Sequence, residues 1–82
     1  MSYHLNTIPK GTLGSLDKVM EELLETLDAE QQGCKIMILL ELSDMIGAIE
    51  QYLIHNHKET TITDLIIMKD ITKRAFESGS RI

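Results

Sequence analysis

Eighty-two residues make at most one domain, and a chain this short buries only about 60% of the surface its unfolded form exposes. A single cysteine, Cys34, rules out an internal disulfide, which leaves metal binding or association to supplement a thin core. The formal net charge of −5 argues against a general DNA or RNA binder.

The opening "MSYHLNTIPKG" lacks the basic start and apolar core of a signal peptide. Residues 1–14, with Pro9, Gly11 and Gly14, read as an extended arm or loop. Ser15 is the expected N-cap of a first helix over about residues 16–31, with Asp17 placed to complement the helix dipole. Gly33 is a stop signal, and a second helix is expected over about residues 34–55.

The apolar run from Ile36 to Ile54 is nearly long enough to span a bilayer. Glu41, Asp44 and Glu50 interrupt it, and each is costly in lipid. No membrane association is expected, and a cytoplasmic protein is the default, a location the lone thiol also suits. "HNHKET" is a polar connection, and "TITD" reads as a capping box with Asp64 in place of the usual Glu or Gln. A third helix is expected over about residues 62–77, before the tail "SGSRI". The expectation is an all-α chain in which residues 15–82 form one helical domain. Its three helices complete a bundle by oligomerisation.

At 100° per residue, Leu16, Val19, Met20, Leu23, Leu24 and Leu27 form one broad apolar face of helix one. Lys18, Glu22, Glu25 and Ala29 form a neighbouring stripe. Helix two repeats the pattern, with Ile38, Leu39, Leu42, Met45, Ile46, Ile49 and Leu53 on the wide face and Met37, Glu41, Asp44 and Ala48 on the stripe. Acids spaced i, i+3 stand one above the other. Glu25 lies eight residues before Gly33 and Glu41 eight after it, so a short turn brings the two acid pairs to about the same height.

A Glu-x-x-Glu pair alone is common on solvated helix surfaces. Two matched pairs bordered by apolar residues are more specific. Four converging carboxylates repel unless cations neutralise them, and an all-oxygen set selects Mg²⁺, Mn²⁺ or Ca²⁺ over Zn²⁺. Charge along the chain is uneven too. Nine of thirteen acids fall between Asp17 and Glu50, while the last eighteen residues carry Lys69, Lys73, Arg74 and Arg81 against Asp70 and Glu77. That asymmetry suits a cation beside a phosphate-bearing ligand, or merely ordinary solvated helix faces.

"EELLE", fifteen residues, then "ELSD" resembles the ExxE…ExxD signature of the MazG-like all-α nucleoside triphosphate pyrophosphohydrolases. "IPKG", "EQQG", "ELSDMIGAIEQYL" and "ITKRAFESGSR" look like the short MazG-like proteins of bacterial viruses and prophages, and the likeness covers nearly the whole chain. The resemblance implies a helical homodimer or homotetramer. It also implies Mg²⁺-dependent cleavage of a nucleotide between its α and β phosphates, releasing monophosphate and pyrophosphate in a house-cleaning role.

By the motif, Glu22, Glu25, Glu41 and Asp44 correspond to metal ligands and catalytic acids, with Glu25 a candidate to orient the attacking water. The matching C-terminal phrase offers Lys73, Arg74 and Arg81 for phosphate contact, with Lys69 one turn earlier. Their alternative reading is favourable charge at a helix C-terminus. Lys10, in a Gly-flanked loop, and Lys18, on the acid stripe, are further substrate-binding candidates, although Lys18 is also placed to pair with Glu22 at i, i+4. Longer family members carry more base-contacting residues, whereas this chain has no Trp and only Phe76, Tyr3 and Tyr52 as aromatics. Two other readings therefore stand beside the enzyme: a nucleotide-sequestering protein without turnover, and a structural helical oligomer. Cys34, Met20 and Met45 read as structural, His55 as a helix-end residue and His57 as loop.

Overall fold

The computed structural model describes residues 4–77, with side chains as far as Arg74. Three helices follow in order: α1 (Leu16–Gln32), α2 (Lys35–Asn56) and α3 (Ile62–Glu77). The all-α expectation holds, and each boundary falls within a residue of its expected place.

Local chemistry explains these ends. Gly33 takes the left-handed conformation (φ 72°, ψ 18°) that costs glycine no Cβ clash. Its N–H donates to the Glu30 carbonyl at 3.0 Å, and the Cys34 N–H donates to the Ala29 carbonyl at 3.4 Å. This is the paired closure of a Schellman turn, and it starts α2 after one further residue. At α3 the capping box forms as expected. The Asp64 carboxylate accepts the Thr61 N–H at 2.8 Å, and the Thr61 hydroxyl accepts the Asp64 N–H at 3.2 Å. Such a cap stabilises a helix start by about 1 kcal/mol. Ser15 departs from expectation. It occupies the N-cap position of α1, but its side chain makes no capping bond there; the hydroxyl donates instead to the Thr12 carbonyl at 2.7 Å.

Packing puts the acid stripes, rather than the wide apolar faces, between the two helices. The face that α1 turns to its surroundings is the apolar one: Leu16, Met20 and Leu27 are exposed. On α2, Ile36 and Leu39 are 73% and 67% exposed. Met20 therefore fills no core within this chain. The buried residues of α1 are Glu21, Glu22, Glu25, Asp28 and Ala29, and those of α2 are Glu41, Ala48 and Leu53. The acid stripes thus form the seam of the α1–α2 hairpin. Ala29 and Ala48 lie in these stripes, and their small side chains let the two backbones approach where bulkier residues would hold them apart. α3 packs on α2 and, among the described residues, makes no contact with α1.

Before α1, the arm folds back along it. Gly11 packs so tightly that a Cβ there would run into the Asp17 carbonyl. Gly14, at φ +94°, lies under the His55 ring and gives its carbonyl to the Asn56 side-chain amide at 2.9 Å. The arm therefore connects the start of α1 to the end of α2. His55 closes the last turn of α2, its Nδ1 2.8 Å from the Gln51 carbonyl, and His57 caps that helix. No helix of the described residues is long and apolar enough to cross a membrane.

Candidate metal centre

α1 and α2 bring Glu22, Glu41 and Asp44 together, with one carboxylate oxygen from each within 4.8 Å of the others. The antiparallel hairpin puts the two i, i+3 pairs at the same height, as their equal distances from Gly33 require. Glu22 and Glu41 are buried, Glu41 to 4% exposure, whereas Asp44 stands at the solvent-open edge. Glu25 lies one turn along from Glu22 and is also buried. Its carboxyl meets those of Glu41 and Glu22.

Burial pushes the Glu25 carboxyl above the usual carboxylate range; the hydrogen bond and charge of Glu41 push it further, while a hydrogen bond with Glu22 opposes this. Glu22 is raised as well, first by burial, with the Lys18 ammonium opposing and Glu25 adding to the rise. Glu22 Oε2 and Glu41 Oε2 are buried without a hydrogen-bond partner. A buried acceptor left unmatched costs about 1–3 kcal/mol, and more when charged. These two oxygens lack what a cation would supply.

The donor set fits such an ion. All candidate ligands are carboxylate oxygens, the chemistry that hard divalent cations prefer. Adjacent oxygens around Mg²⁺ lie about 3 Å apart and opposite ones about 4.2 Å, so a set within 4.8 Å must draw in by up to about 2 Å to hold the ion.

Two further buried acids of α1, Glu21 and Asp28, were not singled out in the sequence, and the structure gives them a different task. Asp28, 1% exposed, accepts the Leu5 N–H at 3.0 Å, the Asn6 N–H at 2.8 Å, the Asn6 side-chain amide at 3.0 Å and that of Gln32 at 2.7 Å. Burial works to raise its pKa, but these four donors outweigh it and hold it at about 2. Glu21 accepts the Gly11 N–H at 2.8 Å and lies 3.2 Å from Lys18 Nζ and 3.5 Å from Lys10 Nζ. Burial opposes ionisation there too, and the Gly11 N–H and the Lys18 ammonium lower its pKa overall. A signal for both was present: Glu21, Glu25, Asp28 and Gln32 follow the i, i+4, i+7 rhythm of one helix face.

The basic candidates divide. Lys18 reaches Glu21 and also Glu22, at 3.3 Å, so its i, i+4 pairing is present. Lys10 is 81% exposed, beside Glu21 at the rim of the acid cluster. Lys69, Lys73 and Arg74 stand on α3, which does not meet α1, and Lys69 pairs with Asp70 at 2.8 Å. α3 does not carry them onto α1, where Glu22 and Glu25 stand. Arg81 lies outside the described residues. Comparison with protein-family models, with curated proteins and with solved structures finds no match for this chain.

Proposed function

We propose that the protein is a divalent-metal-dependent nucleotide pyrophosphohydrolase, acting in the cytoplasm, whose metal is held by Glu22, Glu25, Glu41 and Asp44. The observation that carries the reading is the pair of partnerless buried oxygens, Glu22 Oε2 and Glu41 Oε2, facing an acid at the solvent-open edge. The likeness of "EELLE…ELSD" to the MazG-like signature points the same way. Bound there, Mg²⁺ or Mn²⁺ would neutralise charge on the phosphate oxygens and favour ionisation of a water.

The chain's own residues do the rest. Asp44, at the open edge, is where a phosphate-bearing ligand enters. Glu25, beside Glu22 and Glu41, is placed to orient the attacking water. Lys18 and Lys10, at the rim, offer positive charge to the remaining phosphates. The exposed apolar faces of α1 and α2 support association into a homodimer or homotetramer. In such an assembly Lys69, Lys73 and Arg74 could reach the acid cluster of a neighbouring copy.

The test is a nucleotide panel with Mg²⁺ and pyrophosphate detection. The wild type is expected to release pyrophosphate and Glu41→Gln to release none. Tight nucleotide binding without product would replace turnover by sequestration. The exposed apolar faces favour one other reading, a purely structural oligomer. It prevails if neither Mg²⁺ nor any nucleotide moves the melting temperature. Light scattering that shows a monomer at micromolar concentration would remove the oligomer.

A further inference from the structure

The N-terminal arm is pinned to α1 at two points. Gly11 donates to Glu21, and Leu5 and Asn6 donate to Asp28. Glu21 and Asp28 are seven residues apart, about 10 Å along the helix axis, and Glu25 lies between them. The pinning places His4 over this gap. Its ring is largely covered, with 12% of the side chain exposed. Nε2 lies 3.5 Å from Glu25 Oε1, and Nδ1 lies 3.7 Å from Asp28 Oδ1. One imidazole therefore spans an arm-anchoring carboxylate and a candidate metal ligand.

Both separations are longer than hydrogen bonds. They are nonetheless the arrangement by which an outer group fixes the direction of a ligating carboxylate, and such contacts commonly tighten when the site is filled. Glu25 has particular need of this. Its other neighbours, Glu22 and Glu41, are acids whose hydrogen bonds with it must be given up when all three turn to an ion, so the helices alone do not fix its direction there.

We infer that His4 is a positioning residue for Glu25, and that the arm is thereby a working part of the metal centre. Asp28 holds the arm, the arm holds His4, and His4 aims the Glu25 carboxylate at the ion. The inference rests on the metal site proposed above, and it adds a residue far from the paired-acid motif in sequence.

The measurement is Mn²⁺ binding to the full chain by calorimetry, with the electron paramagnetic resonance spectrum of the bound ion as a second readout. His4→Ala is expected to weaken Mn²⁺ binding by about 10–100-fold, the range for loss of an outer-shell partner, and to alter the spectrum. Asn6→Ala is the control for a loosened arm, since it removes one amide bond to Asp28 but keeps the imidazole. It is expected to bind Mn²⁺ nearly as the wild type does. Wild-type affinity and spectrum in His4→Ala would overturn the role of His4 while leaving the metal site standing. Equal weakening in Asn6→Ala, which keeps the imidazole and the two backbone N–H bonds that dock the arm, would also overturn it, because the loss would then not be specific to the imidazole. A wild type that binds no Mn²⁺ would sink the metal site and this inference together.

Discussion

Two sets of buried carboxylates lie side by side, one under the N-terminal arm and one in the α1–α2 seam, and meet opposite fates. Glu21 and Asp28 are buried and fully supplied: backbone N–H groups of the arm, side-chain amides and lysines surround them. Glu22, Glu25 and Glu41 are buried as well, yet meet chiefly other acids, each other and Glu21, with Lys18 and His4 at their margin. Burial alone does not decide what an acid does. Donors turn the first set into structure, lowering the pKa values, whereas their lack leaves the second set strained, with Glu22 and Glu25 raised. These unmatched acids are the basis of the proposed metal site.

The contrast is broken most directly by removing one acid from each set. Asp28→Ala orphans the Leu5 and Asn6 N–H groups and should lower the melting temperature of the metal-free protein by many degrees. Glu41→Met removes a buried carboxyl whose Oε2 has no partner, at the cost of its hydrogen bond with Glu25, and should destabilise the metal-free protein far less than Asp28→Ala does. Each kcal/mol moves the midpoint of a domain this size by about 4–8 °C. Thermal unfolding without divalent ions measures both. If Glu41→Met destabilises as Asp28→Ala does, the two sets are not different in kind.

The pH dependence sharpens the same contrast. Asp28 binds its proton less readily folded than unfolded, so its contribution grows as pH rises from about 2 through the ordinary value of 3.8. Glu22 and Glu25 hold protons more tightly when folded. Their contribution is complete below the ordinary value of 4.5 and is lost as pH rises through their raised values. Melting temperature against pH should therefore rise and then fall, the fall lying above the ordinary value of 4.5. Saturating Mn²⁺ should flatten the falling limb and leave the rising one. A falling limb indifferent to Mn²⁺ would mean that the ion does not meet these acids.

Lys18 touches both sets, through Glu21 at 3.2 Å and Glu22 at 3.3 Å, and its own pKa is raised: burial opposes this, but the two acids prevail. Lys18→Ala should give the smallest effect, a loss of about 0.2–1 kcal/mol, measurable by denaturant unfolding. A neutral or stabilising result would show that Lys18 serves the ligand rather than the fold.

Helix ends were legible because their signals are local: a glycine able to turn left-handed at 33, and a Thr-x-x-Asp box at 61–64. The paired acids were legible because i, i+3 spacing and equal distance from one turn are arithmetic on the sequence. The arm's role was not. Its bonds to Asp28 come from backbone N–H groups 22 and 23 residues away, and every residue but proline carries such a group. Nor could a helical wheel tell which stripe faces the neighbouring helix. Ala29 and Ala48 decided that, since close approach of two helices favours the narrow side chains over the wide apolar face.

That outward apolar face has a consequence in mass action. With a second copy covering Leu16, Met20, Leu27 and Leu39, as proposed, much of the free energy of folding would belong to the encounter of two chains rather than to either alone. The melting temperature would then be no fixed property of the sequence. It would climb with protein concentration and fall on dilution, and the carboxylate seam would open or close with the abundance of the chain itself.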